Sequence, residues 1–158
     1  MNLNRQDGML QTLLDRAVQA TQTAGKKPMR IIRDPEGEQV RLHTDLDRLT
    51  QVFINLVSNA QKYCTAEDPE LRIEVHSGDN TTIIDFIDNG AGIPEQDRHL
   101  IFEKFSRLGY SDGTGAGLGL AICSEIMERL GGSIAYLPDT GGTGFRVTLP
   151  QAQAMAAQ

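Results

Sequence analysis

Leu10, Leu13, Leu14, Ala17 and Val18 recur at helical spacing, so an amphipathic helix is expected over about residues 9–24. The polar residues 1–9 before it read as loose, and Gly25-Lys26-Lys27-Pro28 stops it. Met29 to Ile32 and Val40 to His43 are short apolar runs around the turn Asp34-Pro35-Glu36-Gly37. Together they read as a hairpin. Thr44 is the expected N-cap of a long helix running to about Tyr63. At ~100° per residue, Leu46, Leu49, Phe53, Leu56 and Ala60 gather on one side of it. Asn55, Asn59 and Lys62 gather within an arc of ~60° on nearly the opposite side. Exposed helix faces normally carry Glu, Lys and Arg. Two asparagines one turn apart are poor helix formers and need another reason.

Leu71, Ile73 and Val75 alternate with Arg72, Glu74 and His76, a half-buried strand after the loop at 67–70. Ser77-Gly78-Asp79-Asn80 turns the chain into a second strand, Thr81 to Asp88. Residues 95–105 read as a short helix with Ile101, Phe102 and Phe105 apolar. Leu118, Leu120, Ala121 and Ile122 begin another, which runs to about Leu130 and ends at Gly131-Gly132. Ser133 to Leu137 is a strand, residues 138–142 a turn, and Phe145, Val147 and Leu149 mark the last strand. The biased run at 151–158 reads as a tail.

The chain has 158 residues, enough for one domain with a real core. Its net charge of -6 argues against a nucleic-acid partner. An anionic ligand would need local neutralisation by cations or backbone N–H groups. No apolar run approaches the ~20 residues that span a bilayer, and no signal peptide is visible. Cys64 and Cys123 lack CxxC spacing and read as free thiols of a reducing compartment. A cytoplasmic location is expected, with a membrane anchor elsewhere in the protein left open.

The chemistry concentrates at Asp88-Asn89-Gly90-Ala91-Gly92-Ile93-Pro94. Ile84, Phe86 and Asp88 share one strand face. A carboxylate that continues an apolar face is costly to bury without a partner. Asp-Asn-Gly is also good turn chemistry, so on its own the motif could simply end a strand. Further on, Gly109, Gly113, Gly115, Gly117 and Gly119 fall close together before a helix. No GxxxxGK[ST] loop occurs. Gly115-Ala116-Gly117-Leu118-Gly119 lacks the βαβ unit of a dinucleotide fingerprint.

Four segments stand in order: Asn55 to Tyr63, Asp88 to Pro94, Ile101-Phe102-Glu103-Lys104-Phe105, and Gly115 to Ile122. They resemble the N, G1, F and G2 boxes of the histidine-kinase catalytic ATP-binding domain. That domain shares a superfamily with the gyrase, Hsp90 and MutL ATPases. The resemblance covers about residues 28–150. It implies an α+β fold, a two-layer sandwich of a mixed, largely antiparallel sheet with three main helices on one face. It implies ATP and Mg²⁺ as ligands, lying between sheet and helices.

By the resemblance, Asp88 accepts a hydrogen bond from the adenine amino group, which discriminates against guanine. Asn89, Gly90 and Gly92 shape the loop beside the base, and Ile93, Tyr63 and Phe105 supply apolar surface. Asn59 places its amide oxygen on Mg²⁺, and Asn55 supports the metal's water shell. Lys62 and Arg107 neutralise phosphate charge. N–H groups around Gly115, Ala116, Gly117, Leu118 and Gly119 cradle the phosphates at a helix start. The family often has threonine where this chain has Ala116, which leaves one phosphate contact in doubt. Ser106 to Thr114 reads as a lid.

Such kinases phosphorylate a histidine on a separate helical dimerisation domain, typically followed by an acidic residue. His43 precedes Thr44, His76 precedes Ser77 and His99 precedes Leu100, so none fits. The expected organisation is a linker and first helix at 1–27, a catalytic core at 28–150 and a tail at 151–158. The expected partners are a histidine-bearing dimerisation domain and, indirectly, a response regulator. An ATPase of the gyrase or Hsp90 kind is the alternative. It would carry a glutamate at Asn55 to activate water, and an amide cannot serve as a base. A serine kinase or an ATP-sensing module of the same fold also stays open.

Overall fold

The computed structural model describes residues 2–22, 28–78, 80–103, 119–150 and 154–156. Two β-sheets and three α-helices are built from them. The larger sheet has five strands: β2 (Arg30–Ile32), β4 (Glu70–Ser77), β5 (Thr81–Asp88), β6 (Ser133–Leu137) and β7 (Thr143–Pro150). Their order is β2-β4-β5-β7-β6. Only the β2–β4 pairing is parallel. The smaller sheet sets β1 (Arg5–Met9) and β8 (Ala154–Ala156) on either side of β3 (Val40–Asp45), both antiparallel. The helices are α1 (Leu10–Thr21), α2 (Leu46–Tyr63) and α3 (Leu120–Arg129). This is the α+β sandwich expected, with a second small sheet added.

The two apolar periods meet in one core. Leu10, Leu13, Leu14 and Ala17 bury the inner face of α1. Leu49, Val52, Phe53, Leu56 and Val57 do the same for α2. The alternating residues Leu71, Ile73, Ile84, Phe86, Val147 and Leu149 form the sheet side. Phe53 of α2 and Phe86 of β5 touch with ring centroids 5.5 Å apart. The strand face that carries Phe86 therefore meets α2, and Asp88 continues that face. On the other face, Asp85 is buried but held by Arg146 across the β5–β7 ladder, at 2.9 and 3.0 Å. Glu38, also buried, is paired with Arg33. Both satisfy the requirement that a buried charge be paired.

Several local expectations are corrected. Residues 30–32 and 40–45 do not form a hairpin, because β2 runs parallel to β4 and β3 lies in the other sheet. Short apolar runs carry too little pattern to fix a partner. Residues 5–9 are not loose, and 154–156 are not a free tail. Both add to β3 through backbone hydrogen bonds, which a polar or alanine-rich sequence does not advertise. Of the helix expected at 95–105, the described residues 95–103 form a single 3₁₀ turn, Glu95–Asp97, followed by turns. Leu100 N–H and Glu103 N–H reach back only three residues, to Asp97 and Leu100. Gly131-Gly132 does end α3, with both N–H groups bonded back to its last turn. Among the described residues no helix is long and apolar enough to cross a membrane.

The N-cap of α2 is Asp45, not Thr44, which is still paired in β3 with Gln6. Asp45 Oδ1 accepts the Arg48 N–H (3.1 Å) and Oδ2 accepts the Asn4 N–H (2.9 Å). One buried carboxylate thus ties the segment entering β1 to the start of α2. Asp45→Ala is expected to lower stability by about 1–2 kcal/mol, the usual loss of a helix cap. Urea unfolding of the variant measures it, and an unchanged midpoint would contradict the double cap.

Candidate functional site

A cavity of about 150 Å³ opens between α2 and the larger sheet. Leu56, Asn59, Ala60 and Tyr63 of α2 form one wall. Phe86 and Asp88 of β5, with Thr143 and Phe145 of β7, form the sheet side. Ala91, Gly92 and Ile93 close it from the loop that follows β5. The walls are mostly apolar, so the few polar groups decide what can bind.

Asp88 is the chief of these. It is only 8% exposed. Its Oδ1 accepts the N–H of Gly90 at 2.7 Å and that of Thr143 at 3.3 Å. The Thr143 side chain also favours the charged carboxylate. Thr143 Oγ1 in turn accepts the Gly92 N–H at 3.0 Å. Burial pushes the Asp88 carboxyl above its ordinary range, and these bonds pull it only part of the way back. A buried carboxylate of this kind is a strong acceptor for a donor on a ligand.

The loop around it is tightly constrained. Gly92 has a φ of 80°, a backbone that side chains rarely adopt. A Cβ at Gly142 would lie 1.8 Å from the Asp88 carbonyl oxygen, so any side chain there must displace the end of β5. Ile93 N–H donates to Tyr136 Oη (3.1 Å), and Arg98 Nε donates to the Ile93 carbonyl (3.0 Å). Thr143, Tyr136, Arg98 and Gly142 were not among the residues expected from the sequence. Thr143 stands opposite Asp88 in the β5–β7 register, a relation that alternation along one strand does not reveal.

The expected site residues divide into groups. Asn59, Tyr63, Asp88, Gly92 and Ile93 come together on the cavity, and Gly90 donates directly to Asp88. Lys62 is exposed and off the cavity wall. Asn89 turns away. Its amide bonds to the Glu70 N–H and the Asp68 carbonyl, both at 2.9 Å. It lines a separate cleft of about 180 Å³ with Arg72 and Thr140. Asn55 faces α3, donating to the Gly119 carbonyl (3.4 Å) and Cys123 Sγ (3.3 Å). Burial pushes the Cys123 thiol up to about 11, which makes it a core group and not a nucleophile. Phe105, Arg107, the lid at 106–114, and Gly115, Ala116, Gly117 and Leu118 lie outside the described residues.

This geometry has counterparts among known proteins. Residues 44–153 match the family described as histidine kinase-, DNA gyrase B-, and HSP90-like ATPase. The chain belongs to that ATPase family. Over 112 residues it is 42% identical to the sensor protein KdpD of Escherichia coli strain K12, covering 70% of this chain and 12% of KdpD. It is 29% identical over 153 residues to the adaptive-response sensory kinase SasA of Synechococcus elongatus, covering 95% of this chain and 40% of SasA. The chain thus spans well under half the length of these curated relatives. The solved catalytic domain of the histidine kinase ThkA superposes with a TM-score of 0.78 at 28% identity. That match covers 93% of this chain and 95% of the ThkA domain. Membership of this ATPase family implies ATP binding.

The raised Asp88 carboxyl has a consequence for the ligand-free protein. A carboxyl raised by folding favours the native state below its unfolded-state value. That contribution is lost as pH rises through the higher native value. Relative to Asp88→Asn, the wild type should therefore lose stability as pH rises from the ordinary carboxylate range toward neutrality. Thermal melts of both proteins from pH 4 to 7 check the sign, and a difference that stays flat contradicts it.

Proposed function

We propose that this chain is the ATP-binding catalytic domain of a two-component sensor histidine kinase. It donates the γ-phosphoryl group of magnesium-ATP to a histidine on a separate dimerisation domain. The observation that carries the reading is the buried Asp88 carboxylate in an otherwise largely apolar cavity. A flat heteroaromatic base with an exocyclic amine fits it. The amine would supply a donor beyond those of Gly90 and Thr143, and Leu56, Ile93 and Phe145 offer apolar surface to the ring faces. Guanine would bring a carbonyl to a carboxylate and leave both unpaired.

Asn59 stands on the same cavity wall. Its amide oxygen would hold Mg²⁺, and a neutral ligand suits an ion shared with several phosphate oxygens. Lys62 and Arg107 would neutralise phosphate charge. The N–H groups from Gly115 to Gly119 would receive the phosphates at the start of α3. Asn55 would support the metal's water shell from its place against Gly119. Phe105 and Tyr63 would add aromatic surface beside the base. Bound magnesium-ATP supplies the phosphoryl group, and this chain's residues orient it and exclude water.

We assign the catalytic segment to residues 28–150, led into by 1–27 and followed by 151–158, with β1, α1 and β8 of these flanks completing its fold. The kinase assignment is supported by the sensor-kinase relatives and by Asn55, an amide that cannot activate water for hydrolysis. The acceptor partner is a histidine-bearing dimerisation domain of the same kinase, with a response regulator downstream, on the cytoplasmic side.

Phosphoryl transfer depends mainly on positioning a nucleophile in line. The chain alone should bind ATP and hydrolyse it very slowly, lacking base help worth ~10²–10⁴-fold in rate. Adding a dimerisation domain should yield an acid-labile phosphoprotein, and Asn59→Ala should abolish it. Phosphate release and radiolabel incorporation read both. Brisk, Asn59-dependent hydrolysis by the chain alone would overturn the kinase reading in favour of a gyrase-type ATPase.

A further inference from the structure

Ile93 is 5% exposed and lies in a loop, outside any strand ladder. Its backbone groups must still be satisfied. Its N–H donates to Tyr136 Oη at 3.1 Å, and its carbonyl accepts from Arg98 Nε at 3.0 Å. The two side chains also hold each other. The Arg98 guanidinium sits 5.0 Å from the Tyr136 ring centroid, within cation–π range. The Tyr136 ring also meets Phe145 edge to face, with centroids 5.8 Å apart. Phe145 lines the cavity, as Ile93 does. The fit is close enough that a Cβ at Gly92 would lie 3.3 Å from Tyr136 Oη.

Tyr136 reaches the loop from β6, the outermost strand of the larger sheet on that side. A hydroxyl from an edge strand thus fixes the backbone of a loop 43 positions away. Nothing in the β6–β7 ladder requires it, since a phenylalanine ring would pack against Phe145 as well. The hydroxyl's bond is to the loop that closes the base cavity.

We propose that Tyr136 and Arg98 form a latch that fixes the Gly92–Ile93 loop in its ligand-ready shape, making both of them positioning residues for nucleotide binding. This rests on the nucleotide reading of the cavity. With the hydroxyl removed, the Ile93 N–H has to find water and the loop spends less time in the competent shape. Apparent affinity falls by the fraction of time lost. The arginine half acts on the same residue from the carbonyl side, so the two losses overlap.

The test uses the full chain with Tyr136→Phe, Arg98→Met and the double variant. Calorimetry with magnesium-ADP is run well below the melting temperature, and native-state hydrogen exchange is followed at the Ile93 amide without nucleotide. Tyr136→Phe should weaken ADP by about 5- to 20-fold, the effect of one unmet buried donor, and should speed exchange at Ile93 selectively. The double variant should lose less than the product of the single losses. A purely structural role would lower the melting temperature and leave both ADP affinity and local Ile93 exchange unchanged, which overturns the latch. If Tyr136→Phe fails to fold, Arg98→Met carries the same two readouts. A wild type that binds no adenine nucleotide sinks the kinase reading, not the latch. Ile93 exchange then decides the latch alone, faster in the variants if it exists and unchanged if it does not.

Discussion

A carboxylate buried at the end of an apolar strand face is the constraint on which this site depends. Asp88 follows Ile84 and Phe86 on the side of β5 that meets α2, so its position is dictated by the core packing itself. Little of it is exposed there, and the chain supplies donors. Gly90 and Thr143 N–H groups reach its oxygen, and the Thr143 hydroxyl holds Gly92. The loop after β5 is shaped by this demand. Gly142 has no side chain because the Asp88 carbonyl occupies that space. The solvation remains incomplete, as the upward push on the carboxyl records. That residual unmet acceptor capacity is what a ligand donor would satisfy.

The second requirement is that α2 stand at a fixed distance from this carboxylate. Leu56 and Ala60 pack toward the sheet, while Asn59 and Tyr63 reach the cavity from the same helix. The start of α2 is set by Asp45, which bonds to the chain on both sides of it. Gly8 of β1 packs so closely on Leu46 that an added Cβ would lie 2.8 Å from Leu46 Cδ1. The segment entering the domain and the helix that carries Asn59 are therefore mechanically joined. Farther along, Asn55 joins α2 to α3 through Gly119 and Cys123. One helix thus spans both the entering segment and the glycine that opens α3.

What the sequence displayed was whatever a strong local period encodes. α2 carries a full apolar stripe, β4 and β7 alternate, and β5 is rich in β-formers, so all four were legible. Asp88 was legible because it broke an apolar face, and Asn59 because it sat where a lysine or glutamate is usual. Cross-strand relations were not legible. Thr143 and Tyr136 reach the loop only because β7 and β6 lie beside β5, a fact of register and strand order. β1 and β8 are held by backbone groups, and Ala154 aside they have little apolar signal to display. Asn89, read as part of the ligand loop, serves the start of β4 instead, since its motif neighbours said nothing of Glu70.

The central claim is that Asp88 reads the exocyclic amine of adenine. Inosine diphosphate tests it most directly, because it differs from ADP in the group that would meet the carboxylate, an oxygen in place of the amine. Calorimetric titration of the chain with magnesium-ADP and magnesium-IDP separates the outcomes. The account predicts that IDP binds at least about tenfold more weakly, as expected when a buried acceptor loses its donor. Equal affinities for the two nucleotides would contradict it.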